Sequence, residues 1–264
     1  MTFGSRSATL TIALTAVALT SACSPSQFLW DEAKTNDIAI YRESFLAATG
    51  TRFVASTSRR EFVRDTTTAR VLWLGDHHVS HHLHELQNEL LAELQASGRP
   101  LVLALEAIGE QDDRLVAAHL RGDMDALTLR GRIRTRWPGS WLDDEALDCA
   151  FFCALVAFGK RHAIPVHGLE PTPRLPLDQR DALIATRVQR LAARYPEHLI
   201  VVVVGQAHLL GYGALIARCA VPSQALGGEP PEHLVAPAEG SRRNQLLRSD
   251  GGLWWFAELL PERR

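Results

Sequence analysis

The sequence predicts an α/β domain: a central, mostly parallel sheet flanked by helices, with a site at the carboxyl ends of the strands. Three observations carry that prediction. Short apolar runs recur at Val71–Leu74, Leu101–Leu105 and Leu199–Val204, and helical periodicity follows each, the alternation that builds parallel sheets. Hydrophobic residues make up 46% of the 264, enough to bury one sizeable core. Polar residues, namely Asp76, His78, Glu106, Glu170 and His208, come just after predicted strand ends, and parallel strands bring such positions to one rim.

In chain order, Arg6 precedes an apolar run from Ala8 to Leu19 that ends in Thr20, Ser21, Ala22 and Cys23. The run is short for a bilayer span and reads as a targeting segment. Small residues before a cysteine resemble a bacterial lipobox, with Thr20 where leucine is usual; an ordinary secretory signal is the alternative. Residues 1–22 are then a lipoprotein signal peptide, Cys23 the lipidated residue, 23–36 a tether and 37–264 a single α/β domain. Ser24 after the cysteine favours the outer membrane, with the chain facing the periplasm.

Asp37–Thr49 reads as an amphipathic helix carrying Ile38, Tyr41, Phe45 and Leu46, and Arg52–Ala69 as another. The stretch VLWLGDHHVSHHLHELQNELLAEL, from Val71 to Leu94, packs a strand, a glycine turn, five histidines and a helix into one unit. Leu83, Leu86, Leu90 and Leu94 form its apolar stripe. His78, His82, Glu85 and Glu89 share another face, while His77, His81 and His84 lie on neighbouring faces and are read as dispensable. After the strand Leu101–Leu105 comes a polar helix, Asp112–Leu120. Arg130–Asp144, with four arginines, Trp137, Trp141 and Pro138, breaks pattern and reads as a lid or a solvated connection.

Glu145–His162 reads as an apolar helix, Ile164–His167 as a short strand ended by Gly168, Leu177–Tyr195 as a helix, and the tail as loops with one or two edge strands. Cys149 and Cys153, one turn apart, are poorly placed to bridge each other and read as buried small hydrophobes, although either could pair with Cys219. A net charge of -2 gives no electrostatic footprint for nucleic acid. GxGxxG and Walker patterns are absent.

Two segments repeat a design. VLWLGDHH and VVVVGQAH are each an apolar strand, then glycine, two residues and histidine. Imidazoles and carboxylates on one rim suit a divalent transition metal, an acid–base pair or an iron centre. His78, His82 and His208 are the candidate metal ligands, and Glu106 is a general base if the site hydrolyses.

At these residues the chain resembles a family. Gly75-Asp-His-His78 is similar to the GExH motif of ChaN-like haem-uptake lipoproteins and erythromycin-esterase-like proteins. Glu106 is similar to their second carboxylate, and Gly205–Gly211 to the closing GxxH of the TraB and TIKI superfamily. Arg180 and Asp181, and the loop around Trp137 and Trp141, also resemble the ChaN pattern. The resemblance covers roughly residues 71–213. It implies an α/β sheet and either haem binding at the cell envelope or metal-dependent hydrolysis of peptide or ester bonds. Asp76 departs from the usual glutamate, and the three tyrosines, Tyr41, Tyr195 and Tyr212, match no motif that would assign an iron ligand. The preferred expectation is an envelope lipoprotein binding haem or iron for uptake through Asp76, His78, Glu106, Glu170, His208, Trp137, Trp141 and Arg180. Arg134 and Arg136 would be cations for the propionates. The expected partners are haem or iron, the membrane through the anchor, and a second copy of the chain in a homodimer.

Overall fold

Eight strands form one sheet in the computed structural model, which describes residues 38–137, 140–144, 146–171, 175–235 and 242–261. The signal peptide, Cys23 and the tether lie outside the described residues, as do Pro138 and Glu145. The strands are β1 (Phe53–Ser58), β2 (Val71–Asp76), β3 (Leu101–Gly109), β4 (Val166–Glu170), β5 (Leu199–Gly205), β6 (Ser223–Leu226), β7 (Gln245–Ser249) and β8 (Trp254–Phe256). Their order is β1-β7-β8-β6-β2-β5-β3-β4. β2, β5 and β3 are adjacent and parallel, as their apolar runs predict, with Asp76 opposite Gly205 and Leu105 opposite Val203. Only β7 runs antiparallel to its neighbours, β1 and β8.

Alternation along the central strands divides the core into two layers. Leu72, Leu74, Leu103, Leu105, Val201 and Val203 face α3 (His81–Ala96), α4 (Asp113–Arg121), α5 (Ala126–Arg136) and α6 (Cys149–Arg161). Val71, Trp73, Val102, Ala104, Ile200, Val202 and Val204 face α7 (Leu177–Arg194), α8 (Leu215–Cys219) and, through Phe45, the helix α1 over 38–48. Every residue of β2 and β5 is buried, which is why both read as continuous apolar runs. Leu83, Leu86, Leu90 and Leu94 bury the expected stripe of α3; each such leucine contributes about 1.5–3 kcal/mol.

Several expectations need correction. Arg52–Ala69 is not one helix: it holds β1 and then α2 (Arg59–Asp65), joined at Ser58, whose side chain caps α2 in a reciprocal box with Glu61. β1 sits at the sheet edge with a largely exposed face, so it lacks the apolar run that marks a strand. Glu106 does not end a strand, because β3 continues to Gly109; nor does Gly168 end β4, which reaches Glu170. The tail supplies three strands, and β6 is interior, between β2 and β8.

Arg130–Asp144 is not simply a loop. Its first seven residues finish α5, where Leu129 and Ile133 are buried and Asp125 caps the start by accepting from the Thr128 amide at 2.8 Å. Three of its four arginines are tied to carboxylates: Arg130 and Arg134 to Asp143, and Arg136 to Asp112. All three cysteines among the described residues are free, and burial pushes the Cys219 thiol up to about 11.

Candidate functional site

The register of β2 against β5 sets the two glycine-histidine turns beside each other, with Glu106 of β3 on the far side of β5. Gly205 marks their meeting point. A Cβ there would lie 3.3 Å from His208 Cδ2, 3.4 Å from His78 Cε1 and 3.6 Å from Glu106 Oε2. Glu106 reaches this point from β3 by accepting the Gly205 amide proton at 2.8 Å. Above these groups opens a cavity of about 390 Å³, within the range of small-molecule sites. Asp76, His77, His78, Glu106, Arg180, Gln206 and His208 supply its polar lining; Ile38, Phe45, Leu46, Val79, Trp141, Leu147 and Leu177 supply its apolar walls.

On the β2 side, His78 Nδ1 lies 2.5 Å from Asp76 Oδ2, and the other oxygen of that carboxylate lies 2.7 Å from His84 Nε2. A carboxylate only accepts, so both imidazole nitrogens donate to it. Burial opposes the Asp76 charge, but the hydrogen bonds from His78 and His84 outweigh it and hold the carboxyl below its ordinary value. Burial likewise disfavours the His78 cation, yet its bond to Asp76 and the charges of Asp76 and Glu106 prevail and raise its pKa. His78 Nε2 has no hydrogen-bond partner among the described residues. Its ring packs on Trp141 with centroids 4.0 Å apart.

The β5 side is closed. Arg180 Nη2 lies 2.8 Å from His208 Nε2 and 3.1 Å from Glu106 Oε1, and Nη1 lies 3.5 Å from Glu170 Oε1. A guanidinium only donates, so His208 Nε2 accepts and its proton sits on Nδ1. That nitrogen faces Asp181 Oδ1 at 2.7 Å, in ion-pair range but off hydrogen-bond alignment. Burial works against the Glu106 charge; the Arg180 guanidinium, His78 and the hydrogen bond from the Gly205 amide overcome it and hold the carboxyl below its ordinary value. Burial also opposes the Arg180 charge, and Glu106 and Glu170 restore it. The Tyr41 hydroxyl, Arg180 Nε and Gln206 Oε1 are buried without hydrogen-bond partners, all on residues that line the cavity. Burial and the Asp181 charge push the Tyr41 phenol well above its usual pKa.

Asp76, His78, Glu106, Arg180, His208 and Trp141 thus converge as the sequence predicts, with Glu170 buried behind Arg180. His82 does not join them: α3 begins at His81, and His82 is exposed on its solvent face. Among the described residues, no group of three His, Cys, Asp or Glu side chains is arranged to hold a metal ion. Trp137 packs at the margin of the core, and Arg134 and Arg136 face acids elsewhere. His84, read as dispensable, is buried. Its signal was present, because 84, 87, 91 and 94 form a second ridge beside the leucine stripe, and all four are buried. Tyr41, Gln206, Asp148 and the positioning role of Asp181 were missed as well.

Residues 62–176 match the family model described as haem-binding uptake, Tiki superfamily, ChaN. The match spans Asp76, His78, His84, Glu106 and Trp141, and stops before Arg180 and His208. No functionally curated protein matches the chain. Among solved structures, the type III effector HopBA1 aligns at 15% identity and TM-score 0.48, over 78% of this chain and 94% of that one. A structure titled cofacial heme binding to ChaN of Campylobacter jejuni aligns at 10% identity and TM-score 0.47, over 71% and 90%. RRSP, a MARTX toxin effector domain from Vibrio vulnificus CMCP6, aligns at 14% and 0.47, over 86% and 48%. Residues 62–176 are thus similar in sequence to the ChaN haem-binding family of the Tiki superfamily, the family that the motifs at Gly75–His78 and Glu106 resemble.

Proposed function

We propose that the chain binds haem in this cavity with His78 as the iron ligand. One observation carries the reading: Asp76 holds His78 by Nδ1, which leaves Nε2 without a protein partner on a ring already set against Trp141. That is the carboxylate–histidine arrangement that prepares an imidazole for a metal. The walls suit a flat apolar ligand. Ile38, Leu46 and Val79 are exposed around the cavity, so a macrocycle would cover apolar surface that otherwise meets water. Arg42 is the cation beside them for a propionate. Bound haem would supply a redox-active iron; the protein's part is to orient one nitrogen and shield the apolar faces. The match of residues 62–176 to the haem-binding family model supports the choice of ligand.

Titrating the purified protein with hemin tests this. A saturable Soret shift that His78→Ala abolishes is expected; free-hemin spectra at every ratio would remove the proposal. The wider role, iron uptake by a lipoprotein anchored through Cys23, rests on the sequence motif. It requires that Cys23→Ser release the protein from the membrane fraction.

A second reading has its own observation: an ionised buried Glu106 and the open nitrogen of His78 share the meeting point at Gly205. Such a pair could perform acid–base hydrolysis without a metal. The metal-dependent form is less supported, because Arg180 already engages His208 Nε2 and both carboxylates. Turnover of peptide or ester substrates that Glu106→Gln eliminates, in protein that does not bind hemin, would favour this reading.

A further inference from the structure

We infer that His84 is a positioning residue for His78: it pins the Asp76 carboxylate so that His78 keeps its proton on Nδ1 and presents Nε2 to the cavity. The inference deepens the haem reading and rests on it only where haem is the readout.

The geometry is a chain of four hydrogen bonds. His78 Nδ1 donates to Asp76 Oδ2 at 2.5 Å; Asp76 Oδ1 accepts from His84 Nε2 at 2.7 Å; Asp148 Oδ2 accepts from His84 Nδ1 and from His81 Nδ1, each at 2.8 Å. The middle is dry: the side chains of Asp76 and His84 are 0% and 3% exposed, whereas that of His81, at the outer end, is 80% exposed. The His84 ring lies flat on Phe151, centroids 3.9 Å apart and 2° from parallel, so its plane is fixed by packing.

Asp148 is anchored at the start of α6, accepting from the Phe151 amide at 3.3 Å, and its own amide donates to the carbonyl of His78 at 2.9 Å. One residue thus clamps the His78 backbone and the His84 ring together. The strand end is fixed too, since Gln87 Nε2 donates to the Gly75 carbonyl at 2.8 Å.

A buried carboxylate with one donor can rotate and offer either oxygen; with a donor on each oxygen it cannot. His84 is that second donor. Both nitrogens of His84 face carboxylates, so each is placed to donate. Burial opposes a charge on this ring, and the bonds to Asp76 and Asp148 outweigh it and raise its pKa. Removing His84 leaves Asp76 free to turn, and His78 then has no fixed acceptor to hold its tautomer.

The test uses the full chain labelled with 15N-histidine, without ligand and on the alkaline side of the His78 titration. Long-range proton–nitrogen spectra report which ring nitrogen of His78 carries hydrogen, and His78→Ala identifies its signals. Wild type should hold a single Nδ1–H tautomer. His84→Phe, which keeps a ring on Phe151 but has no donor, should give a mixture or the Nε2–H form. His84→Gln returns a donor toward Asp76 and should restore the wild-type tautomer, a rescue that loss of packing alone does not produce. In hemin titrations His84→Phe should bind about ten- to a hundred-fold more weakly, with Gln recovering most of the loss. If circular dichroism finds His84→Phe unfolded, His84→Leu replaces it with the same expectation. Wild-type tautomer and affinity in a folded donorless variant overturn the proposal. Failure of wild type to bind hemin overturns the haem reading instead, and the tautomer spectra still decide the role of His84.

Discussion

The turns Gly75–His78 and Gly205–His208 have the same sequence layout, sit on neighbouring strands and each set a histidine Nδ1 against a buried aspartate, Asp76 in one and Asp181 in the other. They differ at the opposite nitrogen. His78 Nε2 is open to the cavity, whereas His208 Nε2 is taken by Arg180. A repeated motif therefore yields one histidine able to meet a ligand and one built into a buried ion network. The spacing of glycine and histidine fixes where each ring stands, and a residue far away in sequence decides what the ring can do.

The largest effect should come from opening the closed side. Arg180→Met leaves Glu106 and Glu170 without their shared cation, and breaking such a buried pairing costs about 3–5 kcal/mol. Urea denaturation should register most of that loss; a variant within 1 kcal/mol of wild type, on the order of a weak hydrogen bond, would mean that Arg180 does not hold the β5 side together. Next comes the direct contrast. His78→Ala should weaken hemin binding by at least the roughly ten- to hundred-fold seen for outer-sphere losses and change the spectrum, while His208→Ala should keep the band position. Equal losses in the two variants would restore the symmetry of the motifs and contradict the geometry. Smaller still is Gly205→Ala: its methyl would sit between 3.3 and 3.6 Å from His208, His78 and Glu106, so the fold should persist while hemin affinity falls. Unchanged affinity would place the ligand elsewhere in the cavity.

A third aspartate–histidine pair, outside the cavity, provides the control. His167 Nδ1 lies 2.7 Å from Asp113 and Nε2 lies 3.0 Å from the Tyr195 hydroxyl, so neither nitrogen is open. His167→Gln should leave hemin binding at the wild-type level. Burial opposes the Asp113 charge, but His167, the Gly168 amide and Arg187 hold its carboxyl below the ordinary 3.8. A depressed folded pKa means that the stabilisation is present above the unfolded value and is lost as pH falls through the folded one. The melting temperature of wild type should therefore drop more steeply below about pH 3.8 than that of Asp113→Asn. Parallel curves would remove Asp113 from the acid response.

The central sheet was legible because burial on both faces writes itself as uninterrupted apolar runs, and the rim residues followed from the direction of parallel strands. β1 was not legible, since an edge strand with a polar face has no such run. Nor was the helical character of Arg130–Arg136, where only Leu129 and Ile133 mark the buried side. The convergence of Asp76, His78, Glu106 and His208 was legible, but not how each side chain is engaged there. Whether Arg180 caps His208 or reaches a ligand depends on side-chain geometry across 28 residues, and no local pattern encodes it. His82 was the opposite error: a one-turn spacing from His78 means nothing when the helix begins only at His81.

The order of strands also governs when the cavity can exist. β5 follows β2 and β3 in the chain but lies between them, and Glu106 meets the Gly205 amide across 99 residues of sequence. Closing such long loops is the slow part of folding a parallel sheet. Until β5 inserts, the two histidine turns are unconnected and Glu106 lacks its amide, so the cavity proposed for haem is incomplete in a nascent or partly folded chain. Competence to bind should appear in the same kinetic phase as closure of the sheet.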